Sequence, residues 1–381
     1  MGTSLLIARL FGIPVRLHWT FLLLAFWLVS THYSFGGTIN WVDMGWTLAS
    51  VTALFLCVLL HEMGHALTAR RYGVNTQKIL LLPIGGLAML DQLPDKPRQE
   101  MWVAAAGPLA NLALAFVLLP VILLMPGNNL ETILGYWLYP KGNYFIHDAS
   151  RVGYLLVGLV ALNVLVALFN LIPAFPMDGG RIFRALLATH WSRLQATTIA
   201  VRTGQAIAIV LVALSIPSFN WLMALAAAFI FFSAAFELKM IREDHLLKTH
   251  TVGDAARRSF GKIYTTHTVA EAEEMFRYGA KDEYLLVFDE WQNFAGMLDS
   301  TSLPATAEKE KDRWSTLVGN TALLHPPCLI TEDNLHQAAQ MLSGTDFEFL
   351  PVSDRNGSVV AVFNSEILNR YIQKVRKGKL P

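Results

Sequence analysis

Leu54-Phe55-Leu56-Cys57-Val58-Leu59-Leu60-His61-Glu62-Met63-Gly64-His65 sets two histidines and a glutamate at the end of an unbroken apolar run. Such a run fits a helix that is buried or surrounded by lipid. On a helix each residue advances about 100°, so His61 and His65 lie one turn apart on one face. Both imidazoles can then meet one Zn²⁺. Glu62 stands beside the first of them, placed to take a proton from a water on that ion. These groups facing lipid would be costly, so they are expected to face the interior of a helix bundle. Zinc is the partner that a buried ionisable trio needs.

The rest of the chain suits a membrane. Of its 381 residues 54% are hydrophobic and only 15% charged, where a soluble domain carries about a quarter charged residues. Apolar segments at roughly 18–35, 44–68, 101–125, 153–172, 200–216 and 220–237 predict about six spans. From about residue 245 charged residues become frequent, and alternating runs such as Tyr284-Leu285-Leu286-Val287-Phe288 appear. The expected fold is a polytopic α-helical membrane protein with a C-terminal soluble α/β domain, divided as 1–242 and 249–376.

Lys and Arg placement orients the spans. Arg9 and Arg16, the group Arg70 to Arg98, the group Arg181, Arg184 and Arg193, and Lys239 with Arg242 fall on one side, and only Lys141 and Arg151 on the other. Both termini and the tail are therefore expected in the cytoplasm. The net charge of +1 gives no basic excess, so no nucleic-acid partner is expected. Cys57 and Cys328 form no disulfide framework. The first apolar segment lacks a small-residue cleavage site, so no cleavable leader is expected.

A catalytic tetrahedral site wants a third protein ligand. Asp178 is the candidate, in Asn170-Leu171-Ile172-Pro173-Ala174-Phe175-Pro176-Met177-Asp178-Gly179-Gly180. Prolines and glycines break the helix there, and irregular backbone at membrane depth is tolerated where it lines a protein cavity. Spacing alone leaves two roles open, a metal ligand or the cap of the helix that starts near Arg181.

His61-Glu62-Met63-Gly64-His65 followed by Asn170, Pro173 and Asp178-Gly179 resembles the two-part signature of the site-2 proteases, intramembrane zinc metalloproteases. The resemblance implies Asp178 as third zinc ligand and Asn170 as a side-chain donor to the oxyanion. Asn170 can equally satisfy carbonyls of the broken helix. Gly107-Pro108-Leu109-Ala110-Asn111, Pro83-Ile84-Gly85-Gly86 and Gly12 to Trp19 resemble further elements of the family. The last is similar to the branch with a tail of paired cystathionine-β-synthase-type (CBS) domains, and the resemblance covers about residues 8–240. It implies hydrolysis of peptide bonds in membrane-bound protein substrates, in regulated intramembrane proteolysis. It implies a bacterial or archaeal cell (inner) membrane as the setting.

The tail resembles the CBS pair in two units, about Thr251 to Leu303 and Thr321 to Tyr371. Many such pairs bind adenine nucleotides through a G-x-x-T/S-x-x-D/N element. This chain departs from it, with Asp299 at the hydroxyl position and Ser302 at the acid position, and with Ala361, Asn364 and Ile367 in the second unit. An adenine-nucleotide site remains one reading of the tail. A dimerisation or docking module is the other.

A transmembrane helix hides its peptide bonds, so a substrate must be unwound, and a sheet edge that accepts an extended strand would do this. Ile79 to Leu90 is the candidate edge, with a plain re-entrant loop as the alternative. Cys57 shares the face of His61, but cysteine in an apolar helix is usually packing. His18 reads as an interfacial histidine, Arg181 as an anchor at the membrane boundary, and His147 and Asp148 carry no assigned chemistry. A metal transporter would need polar groups along several spans, which are almost purely apolar. An inactive scaffold would not need His61, Glu62, His65 and Asp178 together.

Overall fold

The computed structural model describes residues 4–32, 40–83, 85–91, 94, 96–125, 151–217, 219–278, 284–300, 314–321 and 323–377. Lys141, His147, Asp148 and Ser302 lie outside the described residues. The chain divides into two compact units, Met1–Lys239 and Met240–Pro381.

The first unit opens with strands β1 (Ser4–Leu10) and β2 (Ile13–His18) and the short apolar helix α1 (Phe21–His32). Helix α2 (Trp41–Arg71) follows, then β3 (Thr76–Leu82), β4 (Gly85–Leu90), α3 (Pro97–Leu123) and α4 (Arg151–Asn170). Helices α5 (Asp178–Leu187), α6 (Arg193–Ser215) and α7 (Trp221–Thr249) complete it, with the unit boundary inside α7. Five of these, α2, α3, α4, α6 and α7, are long and apolar enough to cross a membrane. The first expected span appears as α1, whose 12 described residues reach about 18 Å, short of the roughly 30 Å of a hydrocarbon core. Helix α6 starts at Arg193, earlier than its apolar stretch indicates, because Ser192 and Gln195 form a capping box. Exposed tryptophans at helix ends (Trp19, Trp41, Trp102, Trp191 and Trp221) suit the two membrane–water interfaces.

The four strands form one sheet in the order β1-β2-β3-β4, with β2 and β3 parallel and the other pairs antiparallel. Strands β3 and β4 form at the expected edge segment, whereas the β1–β2 hairpin is not among the expected elements. Ile13, Val15, Ile79 and Leu81 pack on Met63 and Ala66 of α2, which lays the sheet along the helix that bears the histidines. Helix α3 packs against α2, α4 and α5, and so connects the two halves of the signature.

The second unit repeats a strand, helix, strand, strand pattern. It runs β5 (Lys262–Tyr264), α8 (Val269–Tyr278), β6 (Tyr284–Phe288) and β7 (Phe294–Asp299). Then come β8 (Leu329–Ile330), α9 (Leu335–Ser343), β9 (Phe349–Ser353), β10 (Val359–Asn364) and the closing helix α10 (Ser365–Arg376). The two sheets have matching orders, β5-β6-β7 and β10-β9-β8, each with one parallel and one antiparallel pair. This doubled α/β pattern is the one expected from the tail's resemblance to a CBS pair. Each repeat has its own core, one around Ile263, Leu285 and Val287 and the other around Leu329, Leu350 and Phe363.

Candidate metal centre

His61 and His65 project from the second half of α2, and Asp178 is the first residue of α5. The break between α4 and α5 is held by burial. Ala174 and Met177 pack on Ala208 and Ile230, and Phe175 packs on Ala200, Val201 and Ala234. That packing sends Asp178 back toward α2. Its Oδ2 lies 3.2 Å from the Nε2 atoms of both histidines, which are 3.1 Å from each other. Residues 117 apart in sequence thus meet in one cluster of possible metal ligands.

Zinc fits this donor set. A tetrahedral ion with bonds of about 2.0–2.1 Å spaces neighbouring ligand atoms by about 3.3 Å, close to the observed triangle. The Nδ1 of His65 lies 2.8 Å from the carbonyl of Val103. A carbonyl can only accept, so Nδ1 carries the proton and the Nε2 lone pair is left for a metal. Gly107 of α3 leaves room at the same place. A Cβ there would stand 2.3 Å from His65 Nε2 and 2.7 Å from His61 Nε2.

Glu62 accepts the backbone N–H of Ala88 on β4 at 2.8 Å. The strand can come this close because Gly86 has no side chain, and a Cβ there would stand 2.5 Å from Glu62 Cγ. Strand β4 pairs with β3 on one side, and no described strand pairs with its other edge. The acid, the three possible ligands and β4 all line one cavity of about 700 Å³. Its wall is mostly apolar, with Leu54, Phe55, Val58, Val166, Phe169 and Phe229 among the residues. Asn170, at the end of α4, lines it too, so all five residues singled out in the sequence border the same space.

Cys57 does not join the cluster. Asn163 of α4 donates to its Sγ at 3.1 Å, and both side chains are buried. His18 is held locally, its Nδ1 2.9 Å from the Thr20 hydroxyl. Arg181 lines the cavity.

The sequence did not reveal what Arg184 does. It read as a boundary charge, yet it is fully buried. Its guanidinium donates to Glu100 of α3 through Nε at 2.9 Å and also through Nη2, and to Glu237 of α7 at 2.9 Å through Nη1. The ring of Phe175 lies under it at 5.3 Å. This clamp fixes α5, and hence Asp178, against the helix that carries Val103 and Gly107. Arg184→Met should leave Glu100 buried without its cation, at a cost of about 3–5 kcal/mol. Thermal unfolding in detergent checks this, and adding Glu100→Gln to Arg184→Met should recover part of the loss.

The sequence profile described as peptidase family M50 matches residues 49–211. A zinc metalloprotease of Methanocaldococcus jannaschii is 33% identical over 285 residues, 74% of each chain. A Synechocystis chain bearing the name of a zinc metalloprotease is 27% identical over 406 residues, 98% of this chain and 96% of that one. Among solved structures, a site-2 protease from Methanocaldococcus jannaschii is 34% identical, with a TM-score of 0.43. That match covers 62% of this chain and 95% of the other.

Proposed function

The chain belongs to peptidase family M50, the site-2 type of membrane zinc metalloprotease, and on that footing we propose that His61, His65 and Asp178 hold its zinc while Glu62 acts as general base. The observation that carries this reading is the triangle of ligand atoms with Glu62 on the same cavity wall.

When bound, zinc supplies an acidified water and polarises a carbonyl oxygen. The side chains do the rest. Glu62 takes the proton of the attacking water at a carboxylate oxygen and later delivers a proton to the leaving amine. The Ala88 N–H fixes the orientation of that carboxylate. Asn170 is the side-chain donor for the oxyanion. The edge of β4 that no described strand pairs offers main-chain hydrogen bonds to an extended substrate segment, and these replace the bonds lost when a transmembrane helix unwinds. The apolar wall receives its side chains and keeps bulk water away from the bond being cut.

The substrate is accordingly a membrane-bound protein cut within or at the edge of the bilayer. Arg70 and Arg71 close the end of α2 that carries the site, and Arg98 lies in the first turn of α3 after the same connection, which supports a cytoplasmic placement of the termini and tail. The test is to map, by mass spectrometry, the cut made in a reporter with one transmembrane segment, using purified zinc-loaded protein in liposomes. A cut inside or beside the apolar segment supports the reading. A cut only in soluble flanks, or none, refutes it.

For the tail we propose a docking or dimerisation role that regulates access to the protease. Asp299 stands at the end of β7, where the nucleotide-binding element calls for a hydroxyl. A carboxylate there repels phosphate. Equilibrium dialysis with AMP and ATP should therefore show no saturable binding.

A further inference from the structure

Arg181 reads as a membrane anchor in sequence, yet it borders the cavity that contains Glu62, Asn170 and Asp178. It lies three residues after Asp178 on α5. Such neighbours share a helix face with Cβ atoms about 5–6 Å apart, which brings the ligand end of α5 within reach of the guanidinium. Arg181 is half-buried. Each carboxylate on the cavity wall already has a partner. Asp178 faces the two histidines, Glu62 accepts from Ala88, and Glu100 accepts from Arg184. Arg181 has no hydrogen bond or ion pair among the described residues. A cation beside an apolar wall is partly desolvated, and a ligand with oxygen acceptors restores what it loses.

We infer that Arg181 grips the carbonyl side of the cleaved peptide bond and holds the carboxylate that hydrolysis leaves there. The inference rests on the protease reading. The water oxygen bonds to the carbonyl carbon and the C–N bond breaks. Its electron pair stays on nitrogen, which takes up a proton, and the new carboxyl group loses one. Negative charge therefore grows on the carbonyl side as the reaction proceeds, and a fixed cation beside it is worth most at that stage. An acidic substrate side chain is the less suited ligand, since membrane segments rarely carry one. Every substrate yields the new carboxylate, whatever its sequence.

The test uses the full-length, zinc-loaded chain in detergent and a synthetic peptide that ends at the mapped cut, once as free acid and once as C-terminal amide. Fluorescence anisotropy gives the affinity ratio of acid to amide for wild type, Arg181→Gln and Arg181→Lys, and zinc per chain is measured for each. Arg181→Gln should lower the ratio about tenfold with zinc content unchanged. Arg181→Lys should keep part of it, since the charge remains and the planar fork is lost. Turnover of a neutral reporter by Arg181→Gln should fall in kcat more than it rises in KM. An unchanged ratio in Arg181→Gln would overturn the inference, and so would loss of zinc from that variant, which would make Arg181 a support of the ligands. If wild type neither cuts the reporter nor holds zinc, the protease reading itself has failed, a result obtained before any Arg181 variant is compared.

Discussion

Glu62→Gln is expected to lower turnover of a transmembrane reporter by about a thousandfold while leaving one zinc per chain. The size follows from general acid–base catalysis, which contributes about 10²- to 10⁴-fold. Glutamine has nearly the same shape, and its carbonyl oxygen can still accept from Ala88 N–H, so the contact with β4 survives. It cannot take up a proton at neutral pH. The metal should remain, because the triangle is made by His61, His65 and Asp178 alone. Single-turnover cleavage and metal analysis on one preparation check both halves. A variant within tenfold of wild type would show that another group accepts the proton.

Gly107→Ala is expected to abolish zinc binding, although residue 107 is no ligand. The added methyl would stand 2.3 Å from His65 Nε2 and 2.7 Å from His61 Nε2, far inside contact distance of both. The imidazoles cannot step aside easily. His65 is tied to Val103 on the same helix, and both histidines sit on α2, packed against α3. Metal content should fall to background, and cleavage should fall by at least as much as with Glu62→Gln. Circular dichroism should show the helices intact. Full zinc occupancy in Gly107→Ala would mean that the metal sits elsewhere.

The candidate site was legible in the sequence because it depends on residue types at short spacings. The two histidines and the glutamate occupy one helical turn, and the apolar run before them declares their setting. Asp178 was harder, since its two roles look alike until the packing of Phe175 and Met177 turns the segment toward α2. The β3–β4 edge was legible from Gly85-Gly86 between apolar runs, whereas the β1–β2 hairpin was not. Leu5, Leu6 and Ile7 are all apolar and all exposed, so no alternation betrays a strand. Arg184 and Arg181 looked the same in sequence, two cations at the start of a helix. What separates them is tertiary: Glu100 and Glu237, 84 and 53 residues away, claim Arg184. No described residue claims Arg181. Likewise the emptiness beside Gly107 belongs to the approach of α2 and α3, which no local pattern encodes.

Zinc K-edge absorption of the purified protein reads the atoms bound to the metal. One zinc per chain is expected, bound by nitrogen and oxygen only, with the scattering of two imidazoles, and lost on His61→Ala or Asp178→Ala. A sulfur neighbour would place a cysteine at the metal in conflict with the His61, His65 and Asp178 site, and a protein purified with zinc supplied yet holding none would have no such site at all.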